Sequence, residues 1–395
     1  MKSHSCIGCL LALMWIPLEL PAQTRVDLRG NLPEETRESS GLLLRGGVLI
    51  THNDSGNQPV LYELDTATLQ VRRQVRVLGV SNIDWEDLAE DEQYLYIGDI
   101  GNNLGMRQDL RVLRIAKSEY DRSEEVQAEV IAYQYEDQAD FENNGNSDWD
   151  AEALISYGDS LLLFTKQWKS GGTVVYSLPK TPGSYRARRI TQYPVRGLIT
   201  GASPAPEGAG LVLLGYSSQL QPFAVFVPTT GASFTFPEAT EKEILDIGFG
   251  QAEGICAAPG NRYFVSTESF SNALLNLPAS VFVLRPSQVS EGSPAPEPGS
   301  GTDQDSIPKG GEEGGKGHGL RLYRAPGSPI LEYSMEQPRT ILARAIYDTS
   351  GRQILFERGP GDPPGQLDIS NLETSVYYLA LYVGDRVLSR PFLRY

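Results

Sequence analysis

The chain has 395 residues, room for two or three domains of ordinary size. Lys and Arg number 34 against 50 Asp and Glu, a formal net charge of −16, which argues against a nucleic-acid backbone or an anionic membrane surface as partner. Only His52 and His318 lie beyond the first 23 residues, so a zinc centre built on several His is disfavoured. The 40 Gly, 26 Pro and 19 Tyr, with short apolar runs, point to β-structure rich in turns.

Residues 1–22 read as a secretory signal peptide. Lys2 supplies the positive start, and Ile7 to Leu18 is an apolar run too short to span a bilayer. Leu20, Pro21 and Ala22 offer cleavage near Ala22. Cys6 precedes the apolar run and Cys9 lies within its start, whereas a lipid-modified Cys must follow it. No later run approaches the ~18 apolar residues of a membrane span, so no transmembrane segment is expected. Cleavage leaves Cys256, in an apolar stretch that fits a buried structural thiol.

Residues 23–286 read as a repeat. Acidic phrases recur at Glu38-Ser39-Ser40-Gly41-Leu42, Trp85-Glu86-Asp87-Leu88, Ala151-Glu152-Ala153-Leu154 and Ala252-Glu253-Gly254-Ile255. A degenerate copy, Ile199-Thr200-Gly201-Ala202, carries Thr in the Glu place. After each phrase come two further β-runs, such as Tyr94 to Ile97 and Leu110 to Ile115, and a fourth run follows in all but the last copy. This is the grammar of an all-β, five-bladed β-propeller, with a sixth blade hidden in the long second repeat as the alternative. Arg25 to Arg29 is a spare strand that would complete the last blade and close the ring.

The first strand of each propeller blade lines the central channel. Glu38, Glu86, Glu152 and Glu253 are therefore expected to converge, joined from the ends of the second strands by Asp54, Asp99 and Glu268. Clustered carboxylates repel unless protonated or neutralised, and Ca²⁺ or Mg²⁺ suits a set of oxygen ligands. The competing expectation is that the acids bond backbone N–H groups of the next blade. His52 and Lys166 are the acid–base candidates. Trp85, Trp149 and Trp168 either stack a sugar on one rim or pack between blades. Gly98 to Gly105 lacks the Lys of a phosphate loop and reads as a turn, and there is no Gly-x-Ser-x-Gly elbow. The acidic stretch from Glu119 to Asp150 reads as an inserted loop, with a lid over the channel as the alternative. The phrases Glu253-Gly254-Ile255 and Ser39-Ser40-Gly41-Leu42 resemble those of calcium-dependent phytase-like and gluconolactonase-like propellers. That resemblance implies a divalent cation on the axis.

Residues 287–318 are a Gly-, Pro- and acid-rich linker with nothing to bury. Residues 319–395 alternate as strands of a small β-sandwich. Ile346-Tyr347-Asp348 with Gly351-Arg352, Leu367-Asp368-Ile369-Ser370 with Leu372, Tyr377, and the basic end from Arg390 to Arg394 resemble the C-terminal sorting domain of the Bacteroidota type IX secretion system. Two places depart from that pattern: the opening is Tyr323-Arg324-Ala325-Pro326, and Ser375 stands where that family has Gly. The resemblance implies the type IX secretion machinery as partner and a secreted or outer-surface destination. For the body two functions are in play. One is a binding or scaffold module for a glycan, protein or small molecule. The other is a divalent-metal-dependent hydrolase, lactonase- or phosphoesterase-like, using the acidic channel.

Overall fold

The computed structural model describes residues 24–286 and 320–394, apart from 144, 207–209, 218–220, 229–233, 235, 237–241, 246, 248–250, 272–275, 326–327, 336–339, 348–352, 362–364, 373–374 and 384–385. The expected signal peptide, the linker and the turn from Asp348 to Arg352 lie outside the described residues.

The body is all-β. Strand β1 (Arg25–Asn31) is followed by a sheet of β2 (Ser39–Arg45), β3 (Val48–Asn53), β4 (Val60–Asp65) and β5 (Val71–Leu78). The next unit runs β6 (Trp85–Glu90), β7 (Tyr94–Asp99) and β8 (Arg111–Ala116), and after β9 (Glu125–Gln127) it takes β10 (Glu129–Tyr135) as its outer strand. The third is β11 (Asp150–Tyr157), β12 (Ser160–Lys166), β13 (Thr173–Pro179) and β14 (Gly183–Tyr193). The fourth is β15 (Leu198–Pro204), β16 (Leu211–Tyr216), β17 (Pro222–Val227) and β18 (Lys242–Ile244). The last has β19 (Ala252–Ala258) and β20 (Arg262–Thr267). After the two-residue pair β21 (Phe270–Ser271) and β22 (Asn276–Leu277) it adds β23 (Ser280–Arg285). Its fourth strand is β1, paired antiparallel to β23 from Arg25↔Arg285 to Asn31↔Ser280. The N-terminal strand thus covers an edge that the end of the body would leave open.

Each unit meanders, and its apolar residues face both neighbours. Five hydrophobic clusters result, each bridging two consecutive sheets. Ile50 and Leu61 pack on Trp85 and Ile97; Tyr96 and Val112 on Leu154 and Leu163; Phe164 on Phe223; Leu214 on Tyr263. The fifth joins Cys256 and Val281 of the last sheet to Leu42 and Leu49 of the first, which closes the circuit. The first strands β2, β6, β11, β15 and β19 adjoin one another in the same cyclic order. This is the arrangement of a β-propeller.

The stretch from Glu119 to Asp150 is not all loop. It supplies β9, parallel to β5 of the first sheet, and β10, parallel to β14 of the third. The reason is burial: Val126, Ile131, Tyr133 and Tyr135 alternate inward. One passage of chain thereby staples three sheets at their outer edges.

In the C-terminal region β24 (Leu320–Tyr323), β25 (Ile330–Met335) and β28 (Gly365–Asp368) form one sheet. β26 (Ile341–Tyr347), β27 (Gln353–Gly361), β29 (Ser375–Val383) and β30 (Arg386–Arg394) form another. Leu331, Tyr333 and Leu367 of the first share a cluster with Ile346, Leu379 and Phe392 of the second.

Candidate functional site

All five first strands carry the same irregularity. The pairing with the second strand slips between Ser39 and Leu42, Trp85 and Asp87, Ala151 and Ala153, Ile199 and Gly201, and Ala252 and Gly254. The extra residue at each bulge re-aims its side chain. The bulge holds Ser40 with Gly41 in β2, then Glu86, Glu152, Thr200 and Glu253. Ser40 and Thr200 donate to the adjacent first strand, at Glu86 O (2.6 Å) and Ala252 O (2.5 Å). Glycine beside the Ser40 and Thr200 bulge residues permits that approach: a Cβ on Gly41 would lie 2.6 Å from Leu88 N, and one on Gly201 would lie 2.5 Å from Glu253 O.

The three glutamates face one axial cavity of about 250 Å³. Ser40, Asp54, Asn103, Lys166, Trp168, Gln251 and Glu268 complete its lining. Asp84 and Asp150, each two residues before a bulge Glu, belong to the same group. Oxygens of Asp54, Asp84 and Glu86 all lie within 4.8 Å of one another, as do those of Glu86, Asp150 and Glu152. Glu86 is common to both triads. The approach of Asp84 and Glu86 depends on Gly101, where a Cβ would meet Glu86 Oε1 at 2.2 Å and Asp84 Oδ2 at 2.4 Å.

The triads are compensated differently. Lys166 Nζ donates to Glu152 Oε1 at 2.9 Å, both side chains being buried. Asp150 accepts Asn102 N at 2.6 Å and Trp168 Nε1 at 2.8 Å. Among the described residues no ion pair involves Asp54, Asp84 or Glu86. Burial, then the charges of Glu152, Asp54, Asp84 and Asp150, push the Glu86 carboxyl well above its ordinary range. Burial and the Asp54 and Asp150 charges raise Asp84 to about 7. Burial raises Glu253 to about 7, Lys166 opposing, and burial with the Glu253 charge raises Glu268 to about 9. For Lys166 burial works against the charge, but Glu152 and its neighbours hold the ammonium well above its usual value. It stays protonated, which removes it as a general base.

Most of the remaining expected site residues lie elsewhere. Asp99 is fully buried on Arg107 (2.9 Å) and Arg111 (2.8 Å) and is not part of the cavity lining. Glu38 stands two residues before Ser40, in the register of Asp84 and Asp150, and accepts Asn57 Nδ2 at 2.6 Å. His52 is buried outside the lining, its Nδ1 on Asn53 O at 3.0 Å and its ring edge-on to Trp85. Burial lowers its pKa to about 4, so it is neutral at pH 7. Trp85 is wholly buried between sheets and stacks no ligand. Trp168 lines the cavity, with the Lys166 ammonium 4.6 Å from its ring centre. Trp149 lines a second cleft of about 310 Å³ with Asp137, Gln167, Tyr176 and Arg189.

Asp84, Asp150, Gln251 and Gly101 were not picked out by sequence reasoning. The first three had a signal: each stands two places before a bulge Glu. Gly101 had none, because its partners are brought to it by the fold.

No protein-family profile matches the chain, and no curated protein matches it. Solved structures do. Myxococcus xanthus glutaminyl cyclase is 17% identical with a TM-score of 0.38, over 67% of this chain and 98% of its own. A gluconolactonase from Xanthomonas campestris is 12% identical with a TM-score of 0.35, over 66% and 89%. The β-propeller domain of Cps50 (Swd1) from Myceliophteria thermophila is 13% identical with a TM-score of 0.33, over 65% and 99%. At these values the strand pairing and the five inter-sheet clusters carry the fold, and the likenesses carry nothing about activity.

Proposed function

We propose that this chain is an exported, five-bladed β-propeller that holds a divalent cation, Ca²⁺ or Mg²⁺, on its axis and acts as a metal-dependent hydrolase of the lactonase or phosphoesterase kind. The observation that carries the cation is the Asp54–Asp84–Glu86 triad: three carboxylates within 4.8 Å, two of them seated in the space beside Gly101, with no ion-pair partner among the described residues. Carboxylates so close must be protonated or neutralised, and oxygen ligands select a hard cation as the neutralising charge. Among the described residues the partners of Glu152 and Glu253 are the side chains of Lys166 and Gln251, not backbone N–H groups, and Glu253 and Glu268 supply groups that hold a proton near neutral pH. A bound divalent cation would supply charge to polarise a carbonyl, phosphoryl group or water. The test is hydrolysis of p-nitrophenyl acetate, p-nitrophenyl phosphate and gluconolactone with Ca²⁺, Mg²⁺ or chelator. Cation-dependent turnover lost in Glu86→Gln supports the reading, and no turnover of any class counts against the hydrolase.

A second reading, a glycan- or protein-binding module, is favoured by the cleft at Trp149. Binding to immobilised glycans that survives chelation would select it.

For export, the signal-like start and the sorting-domain-like tail, read as a small β-sandwich, support passage through the type IX route to the outer surface. Deleting residues 319–395 is expected to strand a folded body in the periplasm. Secretion of the truncated protein at the full-length level would contradict this.

A further inference from the structure

The two carboxylate triads share Glu86 and stand side by side, yet the chain treats them differently. Glu86, Asp150 and Glu152 have the oxygen spacing of a cation site, and one of the three is already paired: the ammonium of Lys166 lies 2.9 Å from Glu152 Oε1. The strand register explains its position. Asp150 and Lys166 are direct cross-strand partners at the ends of β11 and β12, and the bulge at Glu152 turns its carboxylate to the same side. Trp168 and Tyr216 flank the ammonium, with ring centres at 4.6 and 5.4 Å, and leave it little freedom to swing away.

We propose that Lys166 is a tethered second cation, which claims Glu152 from the Glu86–Asp150–Glu152 set and so restricts the cavity to a single exchangeable divalent ion at Asp54–Asp84–Glu86. This rests on the cation reading of the cavity and deepens it. A paired cation centre shares a bridging carboxylate and spans a few ångströms; Glu86 is placed to be that bridge, and Lys166 forecloses it. The consequence is mononuclear chemistry in a cavity whose acids would suit two ions. An ammonium is fixed in charge and has no open coordination position, so it neutralises Glu152 without offering a place to substrate.

The experiment is ion stoichiometry on the full chain. Ca²⁺ binding is measured by calorimetry, and Mn²⁺ binding by paramagnetic resonance, where two neighbouring ions broaden each other's lines. The wild type is expected to bind one ion with the sharp six-line spectrum of isolated Mn²⁺. Lys166→Met is expected to bind two, with a broadened spectrum, and adding Glu152→Gln to it should return the count to one. Lys166→Gln, whose amide still donates to Glu152, is the second variant should the methionine not fold. Two ions on the wild type, or a single ion on a folded Lys166 variant at saturating Mn²⁺, overturns the inference while leaving the cation reading intact. No ion on the wild type overturns both.

Discussion

Asp87 Oδ2 accepts the backbone N–H of Leu154 at 2.9 Å, tying β6 to β11 across a sheet boundary, while its chain neighbour Glu86 faces the axial cavity. The other oxygen of Asp87 accepts Leu88 N at 2.8 Å. Two adjacent acids of one phrase therefore do different work: one fastens the ring, the other furnishes it. Burial pushes the Asp87 carboxyl up against the pull of these N–H groups.

Asp87→Asn should therefore destabilise without touching the cation. Asn offers one acceptor oxygen and sets an NH₂ group against the second N–H. A buried donor facing a donor costs about 1–3 kcal/mol, a fall of several degrees in melting temperature for a body of this size. Calorimetric melting and Ca²⁺ titration check both halves. An unchanged melting point would deny Asp87 its part in closing the ring.

Glu86→Gln tests the cation directly. If the proposed site is occupied at Ca²⁺ 100 times its dissociation constant, mass action should stabilise the wild type by about 2.7 kcal/mol. The variant keeps the shape of the side chain and removes the charge common to both triads. Its melting temperature should not respond to Ca²⁺, and in chelator it should match or exceed the wild type. Equal responses of the two proteins would place the ion elsewhere.

Gly101→Ala should weaken the same ion by another route. The added Cβ would fall on Glu86 Oε1 and Asp84 Oδ2, at 2.2 and 2.4 Å, and must displace them. Calorimetric titration is expected to show Ca²⁺ affinity reduced at least about tenfold, ~1.4 kcal/mol, while circular dichroism shows the fold retained. Full affinity in the alanine variant would mean that these two oxygens are not ligands.

The pH dependence follows from Glu253, at about 7, and Glu268, at about 9. Both lie above the ordinary value of about 4.3, so the folded protein holds protons that the unfolded chain has released. Stability is then lost as pH rises from about 4.3 through those folded values. The melting temperature in chelator should fall between pH 5 and 9. Ca²⁺ affinity should rise over the same interval, because the ion displaces the proton that Asp84, raised to about 7, holds. Calcium titrations at three pH values read this; affinity that declines towards pH 9 would contradict it.

Much of this molecule is legible along the chain because a repeat states its geometry several times. The phrases around Glu86, Glu152 and Glu253, the Thr200 copy and the spare strand at Arg25 mark the first strands and the closure, since alternation and turn residues are local properties. The convergence of the three glutamates also follows, as equivalent positions in a ring must face one axis. Tertiary structure decided the rest. Asp99 looks like a channel acid in sequence, but Arg111, opposite it on β8, and Arg107, from the β7–β8 loop, reach it first, and only strand register and the fold of that loop determine that. Glu38 falls out of the set of Glu86, Glu152 and Glu253 because the bulge in β2 lies at Ser40 and Gly41, which leaves Glu38 in the register of Asp84 and Asp150. Gly101 reads as a turn residue until Asp84 and Glu86 are set against its Cα. Lys166 reads as a strand-end lysine until packing lays it between Glu152 and two aromatic rings. Pair distances between residues far apart in the chain set charge state and ligand geometry, and those distances exist only once the ring has closed.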